Sequence, residues 1–522
     1  MLGADRVCFE DFIARCSKTF WVINGFTCEK RLRAACSRFG FNAGYDQGKV
    51  ILSAMRVFSL LLFSLMLSGG VANDPEVLGQ ERLFDSWVRG QMSSRHLPGI
   101  AIGVVFDQEL IWAKGFGFAD VDGSVPMTSS TEFRMASHSK LFTSTAIMQL
   151  RDSGKLRLDD PVSKYLPWFK IKPAEPDDPE ITIEELVTHS SGLPREAGPH
   201  WTTHDFPTAA EVRSYVAEHQ AAYSPGVRWK YSNLALGIAG MIVEAVSGET
   251  YADFVRQHIL MPLEMHGTSV DQQVAGLAVG YGRLMPDGSR KKIPFIDARG
   301  LGPATGITSN VEDMAKFVSL QFRSGLVGGK QILSTGALRE MHRVRVLEND
   351  WTRGNAIGFA VNRDKDKVYV GHGGSYPGYK TQTLIDLEGK VGVIVLANED
   401  DGNPSPIATH LMHTVGQAVA KAGAPASKTV VWNPTWSRFA GHYSSEAGET
   451  EVVELNQRLV LINPDGDSPE AQQRLQPLGE GRFRLEAPTG GSAVGEVVRF
   501  VEENGHVIRM YAGESFSNRV NQ

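Results

Sequence analysis

The spacing of apolar residues changes three times along the chain, and each change marks a region. Residues 98–106 form an unbroken apolar run and residues 110–117 a second, separated by a polar turn at Asp107-Gln108. Two such runs predict an antiparallel hairpin. A polar helical lead over 76–91 precedes it. From Ser137 to about residue 328 the pattern becomes helical. Leu141, Ile147, Met148 and Leu150 give one apolar side to a helix starting at Ser139, and 182–187 and 234–243 are further helical stretches, the second apolar enough to be buried. Short β-rich runs then return at 368–371, 380–386 and 391–397, separated by turn residues, before a helix over 406–421. Early strands, inserted helices and late strands predict an α/β (α+β) domain. One antiparallel sheet, flanked by helices, is completed by both ends of the domain, with a helical subdomain between them.

Beyond residue 421 the period shortens again. Residues 422–428 are linker-like, and alternating runs follow at 441–443, 450–455, 458–462, 482–485, 494–501 and 506–511. Turn formers such as Asn463-Pro464-Asp465-Gly466 and Glu503-Asn504-Gly505 separate them. This pattern predicts a small antiparallel β-barrel or sandwich over 430–522.

The N-terminal region differs from the rest. It carries all four cysteines (Cys8, Cys16, Cys28, Cys36) and the basic cluster Lys30, Arg31, Arg33 and Arg38, and is followed by an apolar run over 55–67. That run is short for a bilayer span but suits the core of a signal peptide, and Gly70-Val71-Ala72 supplies small residues for cleavage. The expected organisation is therefore an upstream extension over 1–54 that reflects start-codon choice, a signal peptide over 55–72, a main domain over 73–422 and a C-terminal β domain over 430–522. The expected location is periplasmic or secreted. Membrane contact follows only if the segment Met55 to Leu67 stays uncleaved.

Composition narrows the function classes. At 522 residues the chain is long enough for two or three domains, and 42% hydrophobic residues with a formal charge of −6 describe a globular protein without the basic excess of a nucleic-acid binder. No cysteine lies beyond Cys36, so the body of the protein uses neither disulfides nor thiolate metal sites.

The candidate chemistry begins at Ser137-His138-Ser139-Lys140. Ser137 and Lys140 stand three apart as a helix begins, so their side chains are neighbours. A serine hydroxyl needs a base, and a desolvated lysine beside other cations is neutral enough to act as one. Backbone amides at a helix start also suit an oxyanion. Two other patterns carry less. His200 and His204 have i, i+4 spacing, but Trp201 stands where a zinc-protease helix needs glutamate, so no metal is expected. No serine sits in a G-x-S-x-G elbow.

The Ser137–Lys140 motif, followed by Leu141-Phe142-Thr143-Ser144, resembles the nucleophile motif of the serine β-lactamase and penicillin-binding-protein superfamily. The run from Gly154 to Val162, Leu186-Val187-Thr188-His189-Ser190-Ser191-Gly192-Leu193, Tyr231-Ser232-Asn233, Glu244-Ala245-Val246-Ser247-Gly248 and Met261-Pro262-Leu263-Glu264-Met265 resemble its class C β-lactamase-like branch. That branch includes esterases, D-amino-acid peptidases and carboxypeptidases. The resemblance covers roughly residues 80 to 420 and implies a β-lactamase/transpeptidase-like fold. The C-terminal region resembles the lipocalin-like domain appended to many members.

The resemblance implies a serine hydrolase acting through an acyl-enzyme, with no metal or organic cofactor. Ser137 is the expected nucleophile. Lys140 and Tyr231 manage its proton, the latter as a phenolate stabilised by nearby ammonium charge. Asn233 is expected to hold the lysine and a substrate amide, and His189 to be structural. The third motif is His372-Gly373-Gly374-Ser375, immediately after the predicted strand 368–371, where the superfamily commonly has Lys-Thr-Gly. Its glycines let a substrate backbone lie close, and the amides of Ser375 and Ser137 are the expected oxyanion hole. Histidine is mostly neutral at pH 7, which makes a strong demand for a substrate carboxylate less expected. The expected substrate is a small ester, a peptide or, third, a β-lactam. The alternatives are a β-lactamase or a penicillin- or peptidoglycan-binding protein with little turnover. The motifs set the chemistry and leave substrate identity and oligomeric state open.

Overall fold

The computed structural model describes residues 70–323, 330–348, 351–364, 367–424, 432–464, 473–479, 481–487 and 493–520. The extension over 1–54 and the apolar run over 55–67 lie outside the described residues.

Asp74 caps the first helix, α1 (Pro75–Arg95), by accepting from the amides of Glu76 and Val77, and the left-handed His96 ends it. Strands β1 (Gly99–Phe106) and β2 (Glu109–Asp120) form the predicted hairpin, with Val104 opposite Trp112. Near the other end of the domain come β3 (Lys367–Tyr376), β4 (Tyr379–Asp386) and β5 (Val391–Ala397). β5 pairs with β1 at Ile102 and Val395, so both ends of the domain do build one antiparallel sheet. The central order is β2, β1, β5, β4, β3, extended by the short strands Val125–Pro126 on one side and Ala360–Asp364, Arg353–Asn355 and Val346–Leu347 on the other.

Every residue of β5 is buried, because the sheet is covered on both faces. Gly392 faces Val318 in the helix Val311–Leu320. A Cβ there would come within 2.3 Å of the Val318 methyl, so the absent side chain is what lets the helix settle on the strand. The adjacent Val391 points to the other face, against Gly416 in the helical segment that follows the sheet.

The helix α2 (Ser139–Asp152) departs from its amphipathic pattern. Every residue from Ser139 to Met148 is buried, polar ones included. Three of their hydroxyls are bonded within the protein, Ser139 to the Ala136 carbonyl (2.7 Å), Thr143 to the Pro303 carbonyl (2.6 Å) and Thr145 to the Leu141 carbonyl (2.8 Å), while the buried Ser144 hydroxyl has no partner among the described residues. Small hydroxyl residues thus let a centrally buried helix read as half polar. The strand predicted over 368–371 is longer as well, running through the glycines to Tyr376. The helix predicted over 406–421 is three consecutive segments, Pro404–Leu411, the π-turn Met412–Gly416 and Gln417–Gly423.

The C-terminal region closes into an eight-stranded antiparallel barrel when its last strand, Ser515–Arg519, pairs with its first, Gly441–Ser445. That last strand and Gln473–Gly479 are the two missed by the sequence pattern; the former is mostly polar, the latter mixes polar residues with Pro477 and Gly479, and both are largely exposed. The barrel core packs Phe439, Tyr443, Leu475, Phe483 and Val498, with the Phe439 and Phe500 rings stacked at 4.4 Å.

Candidate active site

Ser137 lies in a short 3₁₀ turn, Ala136–His138, directly ahead of α2. Ala136, just before it, has φ +52°, a left-handed conformation that costs energy for a residue with a Cβ. Strand β3 backs onto this turn so closely that a Cβ on Gly374 would meet the Thr381 hydroxyl at 2.1 Å and the Met135 carbonyl at 2.7 Å. Glycine is required there. Ser137 keeps partial exposure while both flanking residues are buried.

The ammonium side chain of Lys140 is wholly buried, 3.1 Å from Ser137 Oγ and 2.8 Å from the Ala304 carbonyl in the short helix Gly302–Thr305. Burial pulls its pKa down to about 7, helped by the charge of Arg195 and opposed by that of Glu196. Tyr231 OH sits 2.7 Å from Ser137 Oγ on the other side. The Tyr231 ring is enclosed by Lys140 Nζ, 5.0 Å from its centroid, by the His189 ring at 4.4 Å and by the Arg195 guanidinium at 5.4 Å. Burial pushes its phenol pKa well up, against the opposing hydrogen bond to Ser137 and the charge of Arg195. The direction of this shift favours a neutral phenol over the phenolate expected from the resemblance, and the group drawn towards neutrality is Lys140. A neutral amine brings two donors and one lone pair to these contacts. It can donate to Ser137 Oγ and the Ala304 carbonyl, or accept the Ser137 hydroxyl while Tyr231 donates to Ser137, and the second arrangement is the one that readies the serine for attack.

Asn233 departs from expectation too. It opens the helix α3 (Asn233–Ser247), where the Ser232 side chain caps by accepting from the Ala235 amide. Its Nδ2 donates to Glu196 Oε1 at 2.7 Å, and not to a partner at Lys140, while its buried Oδ1 has no hydrogen-bond partner. Because an ionised carboxylate only accepts, Glu196 fixes which end of the amide faces it. Burial works against ionisation of Glu196, but hydrogen bonds from His200, Asn233 and Arg195 outweigh it and hold its pKa below the usual value. His200, half of the apparent zinc pair, is spent on Glu196 Oε2 at 3.0 Å.

His372 is buried on β3 opposite Thr383, its Nδ1 2.6 Å from the Gly373 carbonyl. A carbonyl only accepts, so Nδ1 carries the proton and Nε2 offers a lone pair. Burial and the charge of Lys140 lower its pKa to about 4. His138 is held between Thr381 and Thr383 hydroxyls at 2.9 and 3.1 Å, and burial takes its pKa to about 3. His189, accepting from the Ser232 amide, is likewise well lowered by burial. Three neutral imidazoles therefore surround the lysine. Ser375 follows Gly374 on β3, its hydroxyl accepting from Lys380 at 2.7 Å.

With this geometry in view, the comparisons with known proteins are decisive for the family. The sequence profile of the family described as Beta-lactamase matches residues 84–414, more than half of the chain. The chain belongs to the beta-lactamase family. It shares that family's mixed α/β fold. Among beta-lactamase-family relatives, Protein flp of Staphylococcus aureus (strain MW2) is 25% identical over 347 residues, covering 63% of this chain. The chain spans 66%, just under two thirds, of that relative's length. The octameric penicillin-binding protein homologue from Pyrococcus abyssi shares the fold with a TM-score of 0.58 at 24% identity, over 83% of this chain and 98% of that one. A D-stereospecific amidohydrolase from a Streptomyces species does so with a TM-score of 0.53 at 22% identity, over 62% and 95%.

The sequence motifs of this beta-lactamase-family chain meet around Ser137: its Oγ contacts Lys140 and Tyr231, Gly374 packs against its turn, His372 feels the charge of Lys140, and Asn233 joins through Glu196. Sequence reasoning missed Arg195, Glu196 and the Ala304 carbonyl. The first two follow Leu193-Pro194 in the loop already singled out, and an Arg-Glu pair there was the available signal. A backbone carbonyl leaves none.

Proposed function

We propose that the protein is a serine hydrolase that cleaves esters or amides through an acyl-enzyme, in the manner of an esterase or a D-amino-acid peptidase. The observation that carries this reading is the unbroken contact from Tyr231 through Ser137 to Lys140, with a lysine whose pKa lies near 7. Ser137 attacks the carbonyl as its proton passes to Lys140. Tyr231, a neutral phenol, protonates the leaving group and regains a proton from Lys140. The amides of Ser137 and Ser375 hold the oxyanion, with Gly373 and Gly374 admitting the substrate backbone. Water then completes the cycle by the same relay. Residues 73–422 form the hydrolase domain and 430–522 a lipocalin-like appendage, after export on a signal peptide over 55–72.

The test is kcat/KM for the full chain on a short-chain aryl ester, a D-Ala-D-Ala peptide and a cephalosporin, with Ser137→Ala beside it. Selective turnover that disappears in the variant supports the proposal and fixes the substrate class. Stoichiometric labelling without turnover supports the alternative of a penicillin-binding protein, which the likeness to the Pyrococcus homologue favours. No turnover and no labelling in either protein ends the hydrolase reading.

A further inference from the structure

The Ala304 carbonyl that accepts from Lys140 lies in a helix of four residues, Gly302–Thr305, too short to hold itself in place. Side chains from the stretch that carries Ser137 hold it instead. Arg134 Nη1 donates to the Gly306 carbonyl at 3.2 Å, and Ser139 Oγ accepts from the Ile307 amide at 2.9 Å. Thr143, one turn after Lys140 on α2, donates to the Pro303 carbonyl at 2.6 Å. Two consecutive carbonyls of the short helix are thus held by two residues three apart on α2. On another side the short helix packs against α3, where a Cβ on Gly240 would lie 2.1 Å from Pro303 Cγ.

Thr143 has a choice of carbonyl. Its single hydroxyl proton can go to Pro303 at 2.6 Å or back to Ser139 of its own helix at 3.3 Å, and the shorter contact is the one across to Pro303. Its oxygen also lies 2.7 Å from Tyr251 OH, at the start of the short helix Tyr251–Val255. Carbonyls only accept, so while Thr143 donates to Pro303 the phenol donates to Thr143. Thr143 is wholly buried, Tyr251 is 5% exposed, and burial pushes the phenol pKa up so that it keeps the proton it donates.

We propose that Thr143 and Tyr251 are positioning residues for the reaction. The chain of hydrogen bonds from Tyr251 through Thr143 to Pro303 fixes the turn that carries the Ala304 carbonyl. That carbonyl occupies one N–H of the neutral lysine and so turns the amine lone pair towards Ser137. The proposal rests on the reading of Lys140 as base. In the step itself the Ser137 proton passes to the lone pair as the Oγ–C bond forms and the substrate carbonyl becomes the oxyanion. Lys140, now an ammonium, keeps its hydrogen bond to Ala304. A slack carbonyl lets the amine rotate away from Ser137 and favours the ammonium less.

The experiment measures kcat, KM and the pH dependence of kcat/KM for the full chain, on the short-chain aryl ester or the D-Ala-D-Ala peptide, whichever the wild type turns over. Thr143→Val lowers kcat about tenfold and Tyr251→Phe about threefold, with KM unchanged. In both, the acidic limb moves about half a pH unit towards lower pH, a change that a general loosening of the fold does not produce. Thr143→Ser keeps the hydroxyl and restores kcat and the limb. Tyr251→Phe removes a single oxygen, so it carries the test even where Thr143→Val folds poorly. In the Ser137→Ala background, nitrogen NMR of the Lys140 amine follows the same titration without turnover, and its midpoint falls when Tyr251→Phe is added. A limb and an amine titration that stay in place in both variants, whatever happens to kcat, overturn the proposal and leave the hydrolase reading to the wild-type rates. Absence of turnover in the wild type, together with an amine titration that moves, overturns the hydrolase reading and keeps the positioning of Lys140.

Discussion

The two walls of the cleft solve the same electrostatic problem in opposite ways. On the strand wall, His138 and His372 with the nearby His189 are buried and neutral, and threonine hydroxyls or backbone groups satisfy them. On the loop wall, the Arg195 side chain is exposed and Lys230 is half-buried near it, with Glu196 between the loop and α3. Lys140 lies between the walls. The neutral side lets its pKa fall through desolvation, and the charged side tunes it by opposing contributions from Glu196 and Arg195. Neutrality comes from packing and fine adjustment from exposed charge.

The sharpest way to break this arrangement is to remove its centre. Ser137→Ala and Lys140→Met each lower kcat/KM by roughly 10³-fold or more, while thermal unfolding shows that the fold is kept. Next in size is pH. A base with a pKa of about 7 must be neutral to act, so kcat/KM falls about tenfold per unit as pH drops below that value; a profile flat from pH 5 to 8 contradicts the assignment of Lys140 as base.

Glu196→Gln tests the charged wall. Loss of the carboxylate removes the influence that raises the Lys140 pKa, so the acidic limb moves to lower pH, with kcat/KM down about three- to tenfold as the anchors of Asn233 and Arg195 weaken. A limb that moves to higher pH refutes the sign. The neutral wall predicts acid sensitivity. Histidines whose folded pKa lies below the unfolded value cost no stability above pH 6.5, and stability declines as pH falls from there towards the folded values of about 4 and 3. At pH 5 each contributes a loss of about 2 kcal/mol, measurable by denaturant titration in His138→Asn and His372→Asn backgrounds. The smallest effect is the most discriminating: His372→Asn leaves the shape of the pH profile between 5.5 and 6.5 unchanged, because a neutral imidazole has no charge there to lose.

Much of this was legible in the sequence because it depends on chemistry that repeats along the chain. The hairpin, the late strands and the central helix follow from apolar runs, and Ser137 with Lys140 follows from their spacing together with the ordered motifs that resemble the family. What escaped depended on distance in space. Gly373 and Gly374 read as the end of a strand, yet β3 continues through them because a side chain at 374 would collide with the Met135 turn. Gln473–Gly479 and Ser515–Arg519 are strands without a clear alternating pattern, placed by pairing with neighbours in the barrel. Tyr231 was identified, but its protonation state was not, since the phenol is governed by four neighbours, Ser137, Lys140, His189 and Arg195, from two stretches remote in sequence. Asn233 was found for its amide and placed on the wrong partner, because Glu196 reaches it from a loop remote in sequence.

One acceptor in this relay is written in the backbone. The Ala304 carbonyl steadies the lysine amine, and no exchange of side chain at that position deletes a carbonyl. A survey of substitutions at 304 would therefore score size and helical tolerance and pass over the chemistry entirely. Replacing the amide that follows Ala304 with an ester, which makes the carbonyl a poorer acceptor, reaches it directly. A protein that stores part of its proton pathway in such a group is protected there from the commonest kind of genetic change.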